Sequence, residues 1–504
     1  MLDRKTTCSL SRGRPGAPQA PPRALGAMHA TSKPLGFLRP MGDTRDDSAN
    51  PSSTRSVSYV PHLIVLLECD RPRAGGARYS LEGIDRVTMG RGEARHGVRS
   101  RQGTVGTLDL RLPGKSLSAN HARLVRVGTA WAIEDLESTN GTLVNGQRVS
   151  RYVLAPDDVF EIGHTHVRVN CSVPLAASAA FDMDAEPRGD SPATLDPALA
   201  AHFDLLARIA LSDVPVLLLG ESGTGKELLA RRVHAQSGRK GPLVAVNCGA
   251  LPAALVESAL FGHVKGAFSG AIRDELGFVR AASGGTLFLD EIADLRKESQ
   301  SALLRLLQEG EVVPVGGTRP VHVDFRLVAA THQPLEERVA RGDFRQDLFA
   351  RIAGFSAHLP PLRERRDDIG LLVAALLDKI AASPTSEITL DSEVGRAVLA
   401  YDWPLNIRQL EQCLSRCIAL SQDGHIRPAH LPPEVLRGPA EAKEDDPSAG
   451  RLNGRDAALR LELLAQLARY RGNLADVARA MGKARMQVHR WCRRFGVDPN
   501  VYRH

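Results

Sequence analysis

The sequence predicts a multidomain chain: an all-β sandwich, then an α/β domain with a parallel sheet and a helical extension, then a small all-α unit. From His62 to about Asn170, short runs such as Leu63-Ile64-Val65-Leu66-Leu67, Ala122-Arg123-Leu124-Val125 and Trp131-Ala132-Ile133 are punctuated by Gly and Asn turns, the pattern of a sandwich. From about 196 to 380, strand-like apolar runs alternate with helical stretches, which predicts a parallel sheet, and helical pattern alone continues to about 435. The stretch 455–498 is helical and basic.

Size and composition agree with this division. A chain of 504 residues exceeds what one core supports, and the usual size prior gives roughly three domains. Residues 1–60 are rich in Pro, Arg, Ser and Gly without hydrophobic periodicity and are expected to stay disordered; Met28 and Met41 are alternative starts. The sandwich is assigned to 61–172, a linker to 173–194, the α/β domain with its helices to 195–435, a second linker to 436–454 and the all-α unit to 455–498. Charged residues at 24% and short apolar runs argue against a membrane span. The net charge of +7 suits a polyanion partner, and equally a plain excess of surface arginine. Seven cysteines without a framework spacing point to reduced thiols and a cytoplasmic setting. Cys413 and Cys417, four apart on a helix, read as core residues.

The chemistry concentrates in the α/β domain. Gly220-Glu221-Ser222-Gly223-Thr224-Gly225-Lys226 follows the apolar run Val216 to Leu219 and opens a helix with Glu227. Backbone N–H groups freed by the glycines, the positive end of the helix and the Lys226 ammonium converge where the β- and γ-phosphates of a nucleotide would lie, so the expected ligand is ATP. A second buried strand, Thr286 to Leu289, ends in Asp290-Glu291, the pair needed to hold Mg²⁺ and polarise an attacking water.

Further motifs carry a resemblance. Leu260-Phe261-Gly262-His263 leads into Gly266-Ala267-Phe268-Ser269-Gly270-Ala271; Leu306 to Gly310 and Leu359 to Arg365 follow. Together with the two phosphate-site motifs these resemble the AAA+ domain of bacterial enhancer-binding proteins, the activators of sigma-54 RNA polymerase. The resemblance implies that Lys226 binds phosphates, Asp290 holds Mg²⁺, Glu291 activates water and Asn247 restrains Glu291. It also implies that Arg345 and Arg351 act as fingers in a neighbouring subunit of a ring, that Arg408 senses the nucleotide, and that Phe268 on the loop 266–271 touches the sigma factor. Without the resemblance, Arg345, Arg351 and Arg408 read as solvated or salt-bridged. Ser269 stands where the family usually has Thr.

Both ends resemble known modules. Gly90-Arg91, Ser118-Ala119-Asn120-His121 and Thr139-Asn140-Gly141 are similar to a forkhead-associated (FHA) domain, which binds phosphothreonine peptides. Arg91 and Ser118 can give charge-assisted hydrogen bonds to a phosphate; Thr139 and Asn140 sit on the loop that would hold the peptide backbone. Gly472 to Gly482, followed by a helix from Arg485, resembles a Fis-type helix-turn-helix, with Arg485, Gln487, His489 and Arg490 expected near bases or phosphates and Arg493 on the backbone side.

These expectations combine into a sigma-54-dependent activator. It would bind enhancer DNA, hydrolyse ATP as a ring oligomer, and remodel the sigma-54 RNA polymerase holoenzyme under control of a phosphothreonine-containing protein, a Ser/Thr kinase or its target. The alternative is a DNA-binding regulator that uses ATP only to assemble and never contacts sigma-54.

Overall fold

The computed structural model describes residues 59–174, 182–184, 194–252, 254–380, 387–437 and, with short gaps, 459–499. The expected tail 1–60 lies outside the described residues as far as Ser58, and so do most of the expected linkers 173–194 and 436–454.

The N-terminal strands are β1 (Tyr59–Glu68), β2 (Ala77–Ser80), β3 (Arg86–Arg91), β4 (His96–Gln102), β5 (Val105–Leu112), β6 (Ala122–Val127) and β7 (Ala130–Asp135), then β8 (Thr142–Val144), β9 (Gln147–Val149), β10 (Arg151–Val153), β11 (Val159–Ile162), β12 (Thr165–Pro174) and β13 (Met183–Asp184). They form two sheets, ordered β13-β2-β1-β12-β11-β8-β9 and β10-β7-β6-β3-β5-β4. Alternation drives the packing: Leu108, Leu110 and Leu112 on β5 all point into the sandwich and are buried there, with polar neighbours between them. On β1 the pattern differs. Leu63 and Val65 enter the sandwich core, while Ile64 and Leu66 face a second core made by helices further along the chain, so the strand is apolar on both sides.

The α/β domain contains β14 (Val216–Leu219), β15 (Leu243–Asn247), β16 (Thr286–Asp290), the short antiparallel pair β17 (Glu311–Val312) and β18 (Val321–His322), then β19 (Arg326–Thr331) and β20 (Phe355–His358). Five of these make a parallel sheet in the order β15-β16-β19-β14-β20. Val216 and Leu218 pack under the helices Pro197–Ile209 and Lys226–Gln236, whereas Leu217 and Leu287 pack under Lys297–Glu309 and Gln346–Ile352. Helices cover both faces, which is why these strands read as unbroken apolar runs.

A helical lid follows, built from Ile369–Ile380, Ser392–Ala400 and Asn406–Leu420 with the small parallel pair β21 (Thr389–Leu390) and β22 (His425–Ile426). Its core holds Trp403, Leu410, Cys413, Leu414 and Cys417 together with Ile64, Leu66, Leu67 and Cys69 of the sandwich. The approach is close: a Cβ on Gly370 would lie 1.7 Å from the Leu66 carbonyl oxygen, and one on Gly395 2.5 Å from Cys69 Sγ. The sandwich, expected as a separate domain, therefore shares a core with the lid. At the C-terminus, Asn473 caps the helix Leu474–Ala480, Gly482 turns the chain at φ 62°, and Arg485–Arg494 follows, with Val477, Val488 and Trp491 buried between them.

Candidate active site

The phosphate loop is shaped by three glycines in the left-handed half of backbone space, Gly220 (φ 151°), Gly223 (φ 78°) and Gly225 (φ 105°), the last at the N-terminus of its helix. Lys226 is buried and donates to the Gly220 carbonyl (2.8 Å) and the Glu221 carbonyl (3.1 Å), so its ammonium lies curled under the loop. Burial pulls its pKa below the usual lysine value, and the nearby Glu291 and Asp290 carboxylates oppose that pull. Asp290 ends β16; burial and the neighbouring Glu291 raise its pKa. A half-buried carboxylate beside a second one, facing a phosphate cradle, is a donor that suits Mg²⁺, which binds through one or two carboxylates plus substrate phosphates. Among the described residues no cluster of three or more potential metal ligands occurs, and the carboxylates beside the cradle are Asp290 and Glu291.

Glu291 adopts φ 51°, a left-handed conformation that turns its side chain across to β19. There Oε2 accepts from His332 N (3.3 Å) and Thr331 Oγ1 (3.4 Å) and lies 2.8 Å from His332 Nδ1. Asn247, the expected restraint on Glu291, is adjacent in register to Asp290, but its Oδ1 accepts from Gly249 N (3.0 Å) and Ala250 N (3.1 Å). His332 is thus a partner of Glu291 to which the sequence reading assigned no role.

The lid closes directly over the loop. Arg408 Nη1 reaches Ser222 Oγ at 3.5 Å, and Ile407 N donates to the Gly223 carbonyl. Asn406, buried and at φ 55°, donates to Glu221 Oε2 (3.1 Å) and the Ser222 carbonyl (3.0 Å) while its Oδ1 accepts from Leu362 N. Arg363 grips the Glu221 carboxylate through both terminal nitrogens, and Arg365 donates to the Thr224 carbonyl. The sequence reading missed Asn406, Arg363 and Arg365 as loop contacts, because their partners on the phosphate loop lie 141 to 185 positions away. Thr224 is buried and donates to the Glu221 carbonyl; Glu227 is exposed and pairs with Arg231.

The other expected residues lie further out. Arg345 is exposed and paired with Asp347, and exposed Arg351 donates to the Leu307 carbonyl. The loop Gly266 to Ala271 is closed by Gly266 N donating to the Ala271 carbonyl, with Gly266 (φ 84°) and Gly270 (φ 105°) in open space and Ala267 and Ser269 between them. Phe268 is 37% exposed and its ring lies 4.9 Å from that of His263, whereas Ile272, just after the loop, is 82% exposed.

In the sandwich, Thr139 N donates to Ser118 Oγ (3.1 Å), and Asn140 Nδ2 donates to the Ser116 carbonyl (2.7 Å). Arg91, Thr139 and Asn140 are exposed at this edge, and Arg91 N donates to the Ser118 carbonyl. Buried His121 accepts from Ser118 N and lies 3.2 Å from the Gly141 carbonyl; burial lowers its pKa, so it braces the loops as a neutral ring. Arg111, absent from the expected set, donates to the Ala119 carbonyl beside the same loop. In the C-terminal unit Arg485, Gln487, His489 and Arg490 are exposed along one helix; the side chain of Arg493 lies outside the described residues. No described helix is long and apolar enough to cross a membrane.

A glycine-rich cradle between strand and helix, an acidic strand end and a helical lid over both define an AAA+ nucleotide-binding fold, here joined to a two-sheet β-sandwich. Family comparison agrees: residues 193–358 match the Sigma-54 interaction domain, 363–448 the AAA+ ATPase lid domain and 87–163 the FHA domain. The chain is 39% identical over 310 residues to the response regulator protein PilR of Pseudomonas aeruginosa, covering 60% of this chain and 69% of PilR. It is 43% identical over 309 residues to the hydrogenase transcriptional regulatory protein HoxA of Cupriavidus necator, covering 60% of this chain and 64% of HoxA. The solved structure of NtrX from Brucella abortus in complex with ADP is 32% identical, covering 62% of this chain and 70% of that one at a TM-score of 0.45. The chain belongs to the family of sigma-54 transcriptional regulators. It spans 64% of HoxA and 44% of the Nif-specific regulatory protein of Azotobacter vinelandii.

Proposed function

We propose that this chain is a sigma-54-dependent transcription activator that hydrolyses ATP in a ring and uses the released energy to remodel the polymerase holoenzyme at promoters. The observation that carries the reading is the coexistence, on one α/β domain, of a lid-covered phosphate cradle and the glycine-bounded loop 266–271 with an aromatic residue at its tip. Lys226 and the loop amides bind the β- and γ-phosphates, Asp290 would hold Mg²⁺, and Glu291 takes the proton of the attacking water. When bound, Mg²⁺ neutralises charge on the transferring phosphoryl group. His332 and Thr331 hold Glu291 through Oε2 alone, so Oε1 is the oxygen that would take the proton of the water. Arg345 and Arg351, exposed and paired only within their own neighbourhood, are available to complete a site on an adjacent subunit. Asn247 is retained as a restraint that engages Glu291 when the carboxylate moves.

Enhancer DNA is the proposed partner of the helix Arg485–Arg494, whose exposed Arg485, Gln487, His489 and Arg490 present donors to a major groove. A phosphothreonine-containing protein is the proposed partner of Arg91, Ser118, Thr139 and Asn140. The test is transcription in vitro with sigma-54 holoenzyme, ATP and enhancer template. Wild-type chain should drive open-complex formation; Phe268→Ala should lose it while hydrolysing ATP and binding DNA, and Glu291→Gln should lose turnover while binding ATP. Full transcription by Phe268→Ala would favour the alternative of a regulator that never contacts sigma-54.

A further inference from the structure

We propose that the sandwich and the lid act as one transmission element, in which Ser116, Asp70 and His164 couple the phosphopeptide loops to the nucleotide site. The inference rests on the readings of the sandwich as a phosphopeptide binder and of the cradle as a nucleotide site.

The coupling begins at the loop that Asn140 anchors. Asn140 Nδ2 donates to the Ser116 carbonyl (2.7 Å), and Ser116 Oγ donates to Asp70 Oδ2 (3.3 Å) while accepting from His164 N (3.1 Å). Asp70 Oδ1 lies 2.8 Å from His164 Nδ1, tying the second residue after β1 to the β11–β12 turn. That turn has no slack, because a Cβ on Gly163 would lie 2.8 Å from Ser116 Oγ. The chain then passes directly into the lid: Cys69 N donates to the His164 carbonyl (2.9 Å), and the Cys69 carbonyl accepts from Leu390 N of β21 (2.8 Å).

A second contact fastens the same face. Glu161, buried on β11, accepts two hydrogen bonds from Arg396 (2.7 and 2.8 Å) and one from Ser392 (2.9 Å), both on the lid helix Ser392–Ala400. A third lies where the α/β domain runs into the lid: Asn170 Nδ2 donates to Asp367 Oδ2 (3.1 Å), next to Asp368, which accepts from Thr194 Oγ1 and Leu195 N. The opposite end of the lid carries Asn406, Ile407 and Arg408 onto the phosphate loop. Any displacement of the lid on nucleotide binding therefore moves the sandwich with it or strips the buried Glu161 carboxylate of its partner Arg396, and leaving that carboxylate unpaired is the costlier course. The lid is the element that both sites bias, so the effect runs in both directions.

The test uses the full chain with ADP as probe, its binding followed by a fluorescent ADP analogue, and amide hydrogen exchange read at residues 113–118 and at Thr389–Leu390. Saturating ADP should change exchange at 113–118 by about fivefold or more. Asp70→Ala should shrink that change below about twofold without altering ADP affinity, and His164→Ala should do the same; agreement of two variants guards against a local folding defect. Arg91→Ala, which removes the proposed phosphate contact, should leave the ADP-driven change intact. Bound ADP with no change at 113–118, or an undiminished change in both variants, overturns the coupling. If no member of a degenerate phosphothreonine peptide library binds, the phosphopeptide reading falls and the ADP arm still decides the coupling. If ADP does not bind, the nucleotide reading falls; a bound phosphothreonine peptide must then change exchange at Thr389–Leu390 in wild type and not in Asp70→Ala, and an unchanged rate overturns the coupling.

Discussion

His166 illustrates how much a single buried side chain depends on what covers it. It lies on β12 beneath the lid, 3.9 Å from Glu161 and 3.5 Å from Ser392 Oγ, with Arg396 close by. Burial pushes its pKa down to about 4; the Glu161 carboxylate opposes this and Arg396 adds to it. The folded pKa is below the unfolded value of about 6.5, so the unfolded chain binds more protons between these limits and stability falls as pH drops through that window. Between pH 7 and pH 5, urea unfolding should show wild type losing about 2 kcal/mol more than His166→Gln. Equal losses would mean that the imidazole is not sealed under the lid. Asp368, raised to about 6 by burial, contributes a slope of the opposite sign, but it is present in both proteins and cancels. At this scale the sequence marked Lys226, Asp290 and Glu291 through their neighbours in the chain. Nothing local marked His166, Asn406 or Arg363, because their partners lie 226, 185 and 142 positions away.

Among the elements, the helices of the lid show where packing overrides propensity. Gly395 sits inside a helix and Gly370 in the first turn of another; in a helix interior glycine costs about 1 kcal/mol relative to alanine. Here that cost is offset by the approach of β1, since a methyl group at 370 would collide with the Leu66 carbonyl. Gly370→Ala should accordingly lower stability by about 1–3 kcal/mol, despite the better helix former, as read from the urea midpoint. An increase would show that the sandwich and lid do not touch there. The same contact explains the run Leu63 to Leu67. A two-faced strand in an antiparallel sandwich signals a cover on its outer side, and the reading of that run as an ordinary sandwich strand overlooked the signal. The nucleotide elements were easier to read. In the α/β domain strand, glycine turn and helix are consecutive, so their order alone predicts the cradle.

On the scale of the whole molecule, the question is whether one chain suffices. Arg345 and Arg351 lie in the segment 345–351, and their partners are Asp347, Ser301 and the Leu307 carbonyl, with no described hydrogen bond to the phosphate loop. A site completed by a neighbour predicts ATP turnover per subunit that rises with protein concentration and then saturates. Arg351→Ala should lower the saturated rate by about 10³, the usual worth of an arginine finger, with nucleotide affinity retained. Turnover independent of concentration would argue for a self-sufficient monomer.

The amino-acid sequence by itself determined the division into sandwich, nucleotide domain and C-terminal helices, the cradle and the acidic strand end, because each depends on residues within a few positions of one another. Only the tertiary structure decided that the sandwich and lid share a core, that Glu291 rests against His332, and that Asp70 and His164 stand between the loop of Ser116 and the lid. Those arrangements join segments far apart in the chain, and burial and hydrogen bonding at such distances leave no periodic mark in a linear string.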